Sequence, residues 1–201
     1  MMQQLPFFLR QPGLVLLIGL ATGHLPGIAR ADGGMDVNLT ANIINSTCKL
    51  TVENGGDIYL PVVMRNWFYN GDSSPRFSPT DYAEGTPFTI HVDDCHQSSG
   101  GGTGIKQLQF SFSPQSGFAG NQKQVFKNDD ATSGAAQNVG IVVFSSAFKT
   151  NVLNSDGSSK VVYNVGADYL TDYQFSARYQ NTGEVTGGLV TSNVLVDVNY
   201  E

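Results

Sequence analysis

The stretch Gly188-Leu-Val-Thr-Ser-Asn-Val-Leu-Val-Asp-Val-Asn-Tyr-Glu201 decides how this chain is read. Val194, Val196, Val198 and Tyr200 recur with a period of two, the spacing at which side chains of an extended strand return to one face. Leu195, Asp197, Asn199 and Glu201 form a second, mostly polar face. The expected element is a strand with one wholly apolar side, ending on an aromatic residue and a carboxylate. An apolar groove beside that carboxylate points to a binding partner.

Working outward, the same alternation returns along the chain. Met35, Val37, Leu39, Ala41 and Ile43 alternate with Asp36, Asn38, Thr40 and Asn42 ahead of Cys48, and Phe88, Ile90 and Val92 lead into Cys95. Ile105, Leu108, Phe110 and Phe112 mark another strand, and residues 139–148 form a near-continuous apolar run. Tyr173, Phe175, Ala177 and Tyr179 are expected to face inward, with Arg178 outward. Clusters of Gly, Ser, Asn and Asp at 70–74, 98–104, 128–134 and 154–159 are turn chemistry rather than linkers. No stretch sustains a capped helical period. Short strands, closely spaced turns and 23 glycines predict one all-β domain, a sandwich or barrel.

The first 31 residues read as a secretory signal peptide. Arg10 supplies the positive start, residues 14–21 the short apolar run, and Ala29-Arg-Ala31 a small-x-small cleavage site, so cleavage is expected after Ala31. No later segment approaches the roughly 20 apolar residues of a spanning helix. Removing Arg10 and Arg30 takes the basic residues from 11 to 9 against 17 acidic ones, a net charge of −8. Such an acidic domain argues against nucleic acid and anionic membranes as partners. Two cysteines in an exported chain predict one disulfide, Cys48 to Cys95, worth about 4 kcal/mol on the chain-entropy model, in preference to a reactive thiol pair.

Catalytic chemistry finds little support. Asp93-Asp-Cys-His96 has the residue types of a metal cluster, but a cystine cannot ligate and adjacent carboxylates on a strand face opposite ways. Residues 98–104 are glycine-rich without the lysine and strand-to-helix context of a phosphate loop. Asp129-Asp130 is read as a surface turn, the sequons at Asn38 and Asn45 are discounted, and Trp67 is assigned to core or satellite packing ahead of a ligand-binding loop. The expectation is no enzyme, no metal and no cofactor.

Taken together, these residues resemble the subunits of chaperone–usher fimbriae. The alternating arm before Cys48, Asn138-Val-Gly-Ile141, Phe175-Ser-Ala-Arg-Tyr179 and the terminal Gly188, Val194, Val196, Val198 and Tyr200 carry the resemblance over nearly all of residues 32–201. The resemblance implies an incomplete immunoglobulin-like β-sandwich that lacks its final strand and is completed by a donor strand from a neighbour. Residues 32–44 would be the N-terminal donor extension, with Met35, Val37, Leu39 and Ala41 as its apolar positions, and 45–201 the pilin domain. The competing reading makes residues 35–44 the domain's own first strand. Gly188, Val194, Val196, Val198, Tyr200 and Glu201 would line the receiving groove and be gripped by a periplasmic chaperone before assembly at an outer-membrane usher. The product would be a head-to-tail fimbrium on the bacterial surface, reached through the periplasm. Rod-forming relatives carry glycine thirteen residues before the first cysteine, where this chain has Met35, which favours a minor tip or adaptor subunit. A single-domain adhesin using the Trp67–Tyr69 region and a major rod pilin are the alternatives.

Overall fold

The computed structural model describes residues 35–40, 48–83, 85–95 and 104–200. The expected signal peptide, Ala41, the Asn45 sequon, His96, most of the 98–104 loop and Glu201 lie outside the described residues. Within them the chain is β1 (Met35–Thr40), β2 (Cys48–Val52), β3 (Asp57–Leu60), β4 (Thr86–Cys95), β5 (Gln107–Pro114), β6 (Phe126–Lys127), β7 (Val139–Ser145), β8 (Thr150–Asn151), β9 (Val161–Asn164), β10 (Asp172–Asn181) and β11 (Asn193–Tyr200). The helical content of the described residues is two single turns of 3-10 helix, Glu53–Gly56 and Arg65–Phe68. No helix among them is long and apolar enough to cross a membrane.

Two sheets face each other. One runs β3-β1-β11-β5-β9, the other β2-β4-β10-β7-β6 with β8 beside β7. Every described ladder is antiparallel except that between β1 and β11, which is parallel. The architecture is the all-β sandwich that the alternating pattern predicts, because each strand has one apolar face to bury and only a second sheet can cover it.

Between the sheets, β5 presents Leu108, Phe110 and Phe112, and β10 presents Tyr173, Phe175, Ala177 and Tyr179, all buried. Phe175 lies 5.1 Å from Phe112 and 5.8 Å from Phe88, and Phe110 lies 4.9 Å from Tyr173, ring centroid to ring centroid. Each such ring contributes about 1.5–3 kcal/mol by burial, and each tilted pair about 0.5–1.5 kcal/mol more. Cys48 and Cys95 stand opposite each other across β2 and β4 and form the predicted disulfide.

The second sheet departs from simple alternation. All seven residues of β7 are buried. Ile141 and Val143 enter the main core, whereas Val142 and Phe144 face outward and pack with Ala119 and Val125. Arg178 also differs from expectation. It points away from the sandwich interior, yet it is only 2 % exposed. The segment around residues 77–81 folds over it, and its guanidinium donates to the carbonyls of Ser78 (2.8 Å), Asp81 (2.9 Å) and Tyr179 (3.0 Å) and to Gln180 Oε1 (2.7 Å). The outward face of a strand is thus a buried one where a loop supplies enough acceptors to hold a charge. The apolar run 139–148 ends as a strand at Ser145. There the chain turns, with Lys149 in a left-handed conformation (φ 55°), and Phe148 is 48 % exposed on the turn.

Candidate strand-docking site

The terminal strand β11 is fixed at its start by residues remote in sequence. Gly188 has φ +151°, and a Cβ there would lie 2.3 Å from the Gly134 carbonyl oxygen, so the position requires glycine. That close approach lets Leu189 N–H donate to Gly134 O (2.8 Å) and Ala136 N–H to Leu189 O (2.9 Å). Asn128 then grips the chain on both sides, donating through Nδ2 to Leu189 O (2.9 Å) and accepting at Oδ1 from Thr191 N–H (2.9 Å). Asp129 Oδ2 accepts from the backbone N–H (2.7 Å) and side-chain Nδ2 (3.1 Å) of Asn193. Asn128 and Asp129 therefore set where β11 begins. Sequence reasoning placed them in a surface turn; the signal was their short side chains, which bond backbone groups more readily than they cross a cleft.

From Asn193 onward the register is set by packing. Val194, Val196 and Val198 are fully buried, opposite Pro114, Phe112 and Phe110 on β5, and Tyr200 is part-buried opposite Leu108. Leu195 and Asp197 are half-buried and Asn199 is exposed. One edge of β11 is committed to β5, and its other edge faces β1.

β3 and β11 flank a slot that β1 fills. Met35, Val37 and Leu39 stand at register positions opposite Leu60, Ile58 and Val194, each of which is buried in the core. Asp36 stands opposite Tyr59, which is 57 % exposed. The alternation of the N-terminal arm is therefore in phase with the alternation of both strands beside it. Such phasing is needed because a one-residue slip would carry every apolar position to the wet face. Gly140, in the Asn138–Ile141 motif, is required for a different close approach: a Cβ there would lie 2.3 Å from the Phe126 carbonyl oxygen. Asn138 beside it has φ +57° and donates through Nδ2 to Glu184 O (2.9 Å).

Trp67 does not stand free in a loop. It is partly buried against the core, 5.1 Å from Phe68 and 5.7 Å from Phe77 between ring centroids. Nearby, an open cleft of about 1360 Å³ lies between residues 65–81 and the turn at 182–184. Its polar groups bond one another. Tyr69 OH donates to Gly183 O (3.2 Å) and accepts from Val185 N–H (2.9 Å). Arg65 pairs with Glu184, and Gln180 Nε2 donates to Phe77 O (2.9 Å). These contacts fasten the segment to the sheet. Asp93 accepts from Thr51 Oγ1 (2.6 Å), and among the described residues no group of three or more His, Cys, Asp or Glu side chains is arranged to hold a metal ion. Burial, and secondarily the neighbouring Tyr163, pushes the Tyr173 hydroxyl up to about 12, and burial alone raises Tyr179.

The sequence profile of the family described as fimbrial protein matches residues 37–201. The chain is 39 % identical over 180 residues to the uncharacterized fimbrial-like protein YadK of Escherichia coli (strain K12), covering 85 % of this chain and 87 % of that protein. Among solved structures it is similar to the P pilus rod subunit PapA, with a TM-score of 0.43 and 14 % identity over 82 % of this chain and 99 % of that one. It is also similar to the CupB6 tip adhesin from Pseudomonas aeruginosa, with a TM-score of 0.43 and 14 % identity over 84 % of this chain and 43 % of that one.

Proposed function

This chain belongs to the fimbrial protein family, and from that premise we propose that it is a structural subunit of a surface fimbria, joined to its neighbours by donor-strand exchange. The arm around Met35, Val37, Leu39 and Ala41 is the donated strand, and the slot beside β11 receives the arm of the next subunit. The observation that carries this reading is the phase match: the arm's odd-numbered positions meet buried positions on both β3 and β11. Any segment with the same alternation can occupy such a slot, whichever chain it comes from, since backbone pairing and an apolar face are all that strand addition requires. Burial of each Met, Val or Leu contributes about 1.5–3 kcal/mol, enough in sum for a durable joint.

Before assembly the slot needs a temporary occupant. A periplasmic chaperone gripping the Gly188, Val194, Val196, Val198, Tyr200 and Glu201 strand supplies it, and an outer-membrane usher is the place of exchange. Export proceeds through cleavage after Ala31, and the extension covers residues 32–44 ahead of the 45–201 domain. Met35 in place of a glycine supports a minor tip or adaptor role over that of the rod subunit. The role is structural and adhesive rather than catalytic.

The test is removal of residues 32–42. The shortened chain is expected to be captured by the chaperone as before but to fail to join the preceding subunit in the fibre. A shortened chain that still joined it would overturn the donor assignment. Counting copies per fibre by immunogold labelling separates a minor subunit from a rod subunit.

A further inference from the structure

Resting on that reading, we propose that the unassembled subunit caps itself: its own arm, β1, occupies its own receiving slot and holds the chain in an assembly-inactive reserve. The slot is not empty in this molecule. β1 pairs with β3 on one side, from Met35 opposite Leu60 to Asn38 opposite Asp57, and with β11 on the other, from Asn38 opposite Asn193 to Thr40 opposite Leu195. One contact therefore withdraws both halves of the joint. The arm cannot be donated while it lies in its own slot, and the slot cannot receive while the arm fills it.

The direction of insertion makes this state replaceable. β1 is antiparallel to β3 and parallel to β11, so β3 and β11 run opposite ways. Any strand entering between them must be antiparallel to one and parallel to the other. The chain's own arm takes its antiparallel partner from β3, which offers four residues, and its parallel partner from β11, which offers eight. An arm entering the other way reverses that allocation and sets its antiparallel ladder against the longer strand. Antiparallel pairing is the more stable per residue. A second chain's arm, free of the tether to Cys48, can enter in that direction.

Tethering decides which state forms first. An arm joined to its own domain by a short connection has an effective concentration in the millimolar range, about a thousandfold above subunits at micromolar concentration. Self-capping therefore precedes exchange in dilute solution, and the better-paired intermolecular joint wins only when subunits are concentrated or delivered to one another. The device limits premature polymerisation without a second protein.

The experiment uses the exported chain carrying Asp36→Cys and Tyr59→Cys, a register pair whose β3 member is exposed and makes no core contact to lose. The single-cysteine variants and an Asp36→Ser, Tyr59→Ser chain serve as controls for folding and mispairing. Oxidised at micromolar concentration, the double variant is expected to give a monomer-sized cross-linked species on non-reducing gels. Uptake of a labelled peptide of residues 35–43 should fall by about tenfold or more in the locked form and return on reduction, since the tethered arm outcompetes free peptide only while it stays seated. Cross-links found solely between chains, or locked and reduced forms that take up peptide equally fast, would overturn self-capping while leaving donor-strand exchange standing. A chain that takes up no peptide in the reduced form, even after removal of residues 32–42, would overturn donor-strand exchange itself and self-capping with it.

Discussion

β10 and β11 are both long strands with a buried alternating face, and they are completed in different ways. β10 pairs antiparallel on both edges, with β4 and β7, and its outer face is roofed by the segment that holds Arg178. β11 pairs antiparallel with β5 alone, its outer face is half open, and its second edge meets an N-terminal arm in parallel. The difference teaches that a strand's face and its edges are separate requirements. A face must be satisfied from within the core, whereas an edge accepts any backbone of suitable pattern. β10 has both fixed by its own domain. β11 has its face fixed and one edge exchangeable.

The largest effect is expected from Val196→Asp, which places a carboxylate at a fully buried position opposite Phe112. An uncompensated buried charge costs about 3–5 kcal/mol, read as a fall in the urea midpoint and in periplasmic yield. An unchanged midpoint would mean that the β11 face does not line the core. Arg178→Met tests the roofed strand. Ser78 O, Asp81 O and Gln180 Oε1 lose their donor at a cost of about 3 kcal/mol, and proteolysis or amide exchange should open residues 76–82 while β11 keeps its protection. Equal loosening of β11 would show that the two regions are not independent.

Gly188→Ala probes how β11 is positioned. Its Cβ would meet Gly134 O, and we expect about 2 kcal/mol of destabilisation together with a shift in the amide resonances of residues 128–136. The smallest effect concerns pH. The Tyr173 hydroxyl is neutral in the fold up to about 12, against an ordinary value near 10. The folded state keeps its proton where the unfolded state loses it, so this contribution is fully present below pH 10 and declines as pH rises toward 12. Tyr173→Phe should flatten the stability curve in that window, as followed by circular dichroism.

Much of this contrast was legible in the chain. Val194–Tyr200, Phe88–Val92 and Tyr173–Tyr179 show their core face directly, because a period of two survives any detail of packing. Two cysteines in an exported chain were enough for the disulfide. What stayed hidden depends on contacts far apart in sequence. β2, β3 and β9 are only four or five residues long and carry too few alternations to stand out. Arg178 reads as outward because nothing local reveals that residues about a hundred positions earlier will cover it. Asn128 and Asp129 look like turn residues until their partners at 189–193 are known. The alternation of residues 35–40 was plain, but which strand edges it would meet, and in which direction, was not.

The disulfide has a mechanical meaning beyond its effect on stability. Cys48 is the first residue of β2, so tension carried along the N-terminal arm enters the domain there. Cys95 is the last residue of β4, and β4 is held to β10 over six register pairs. A pull on the arm is therefore carried through a covalent bond into the middle of the second sheet, where many hydrogen bonds share the load. Without that bond the same force would peel β2 from its end, one hydrogen bond at a time.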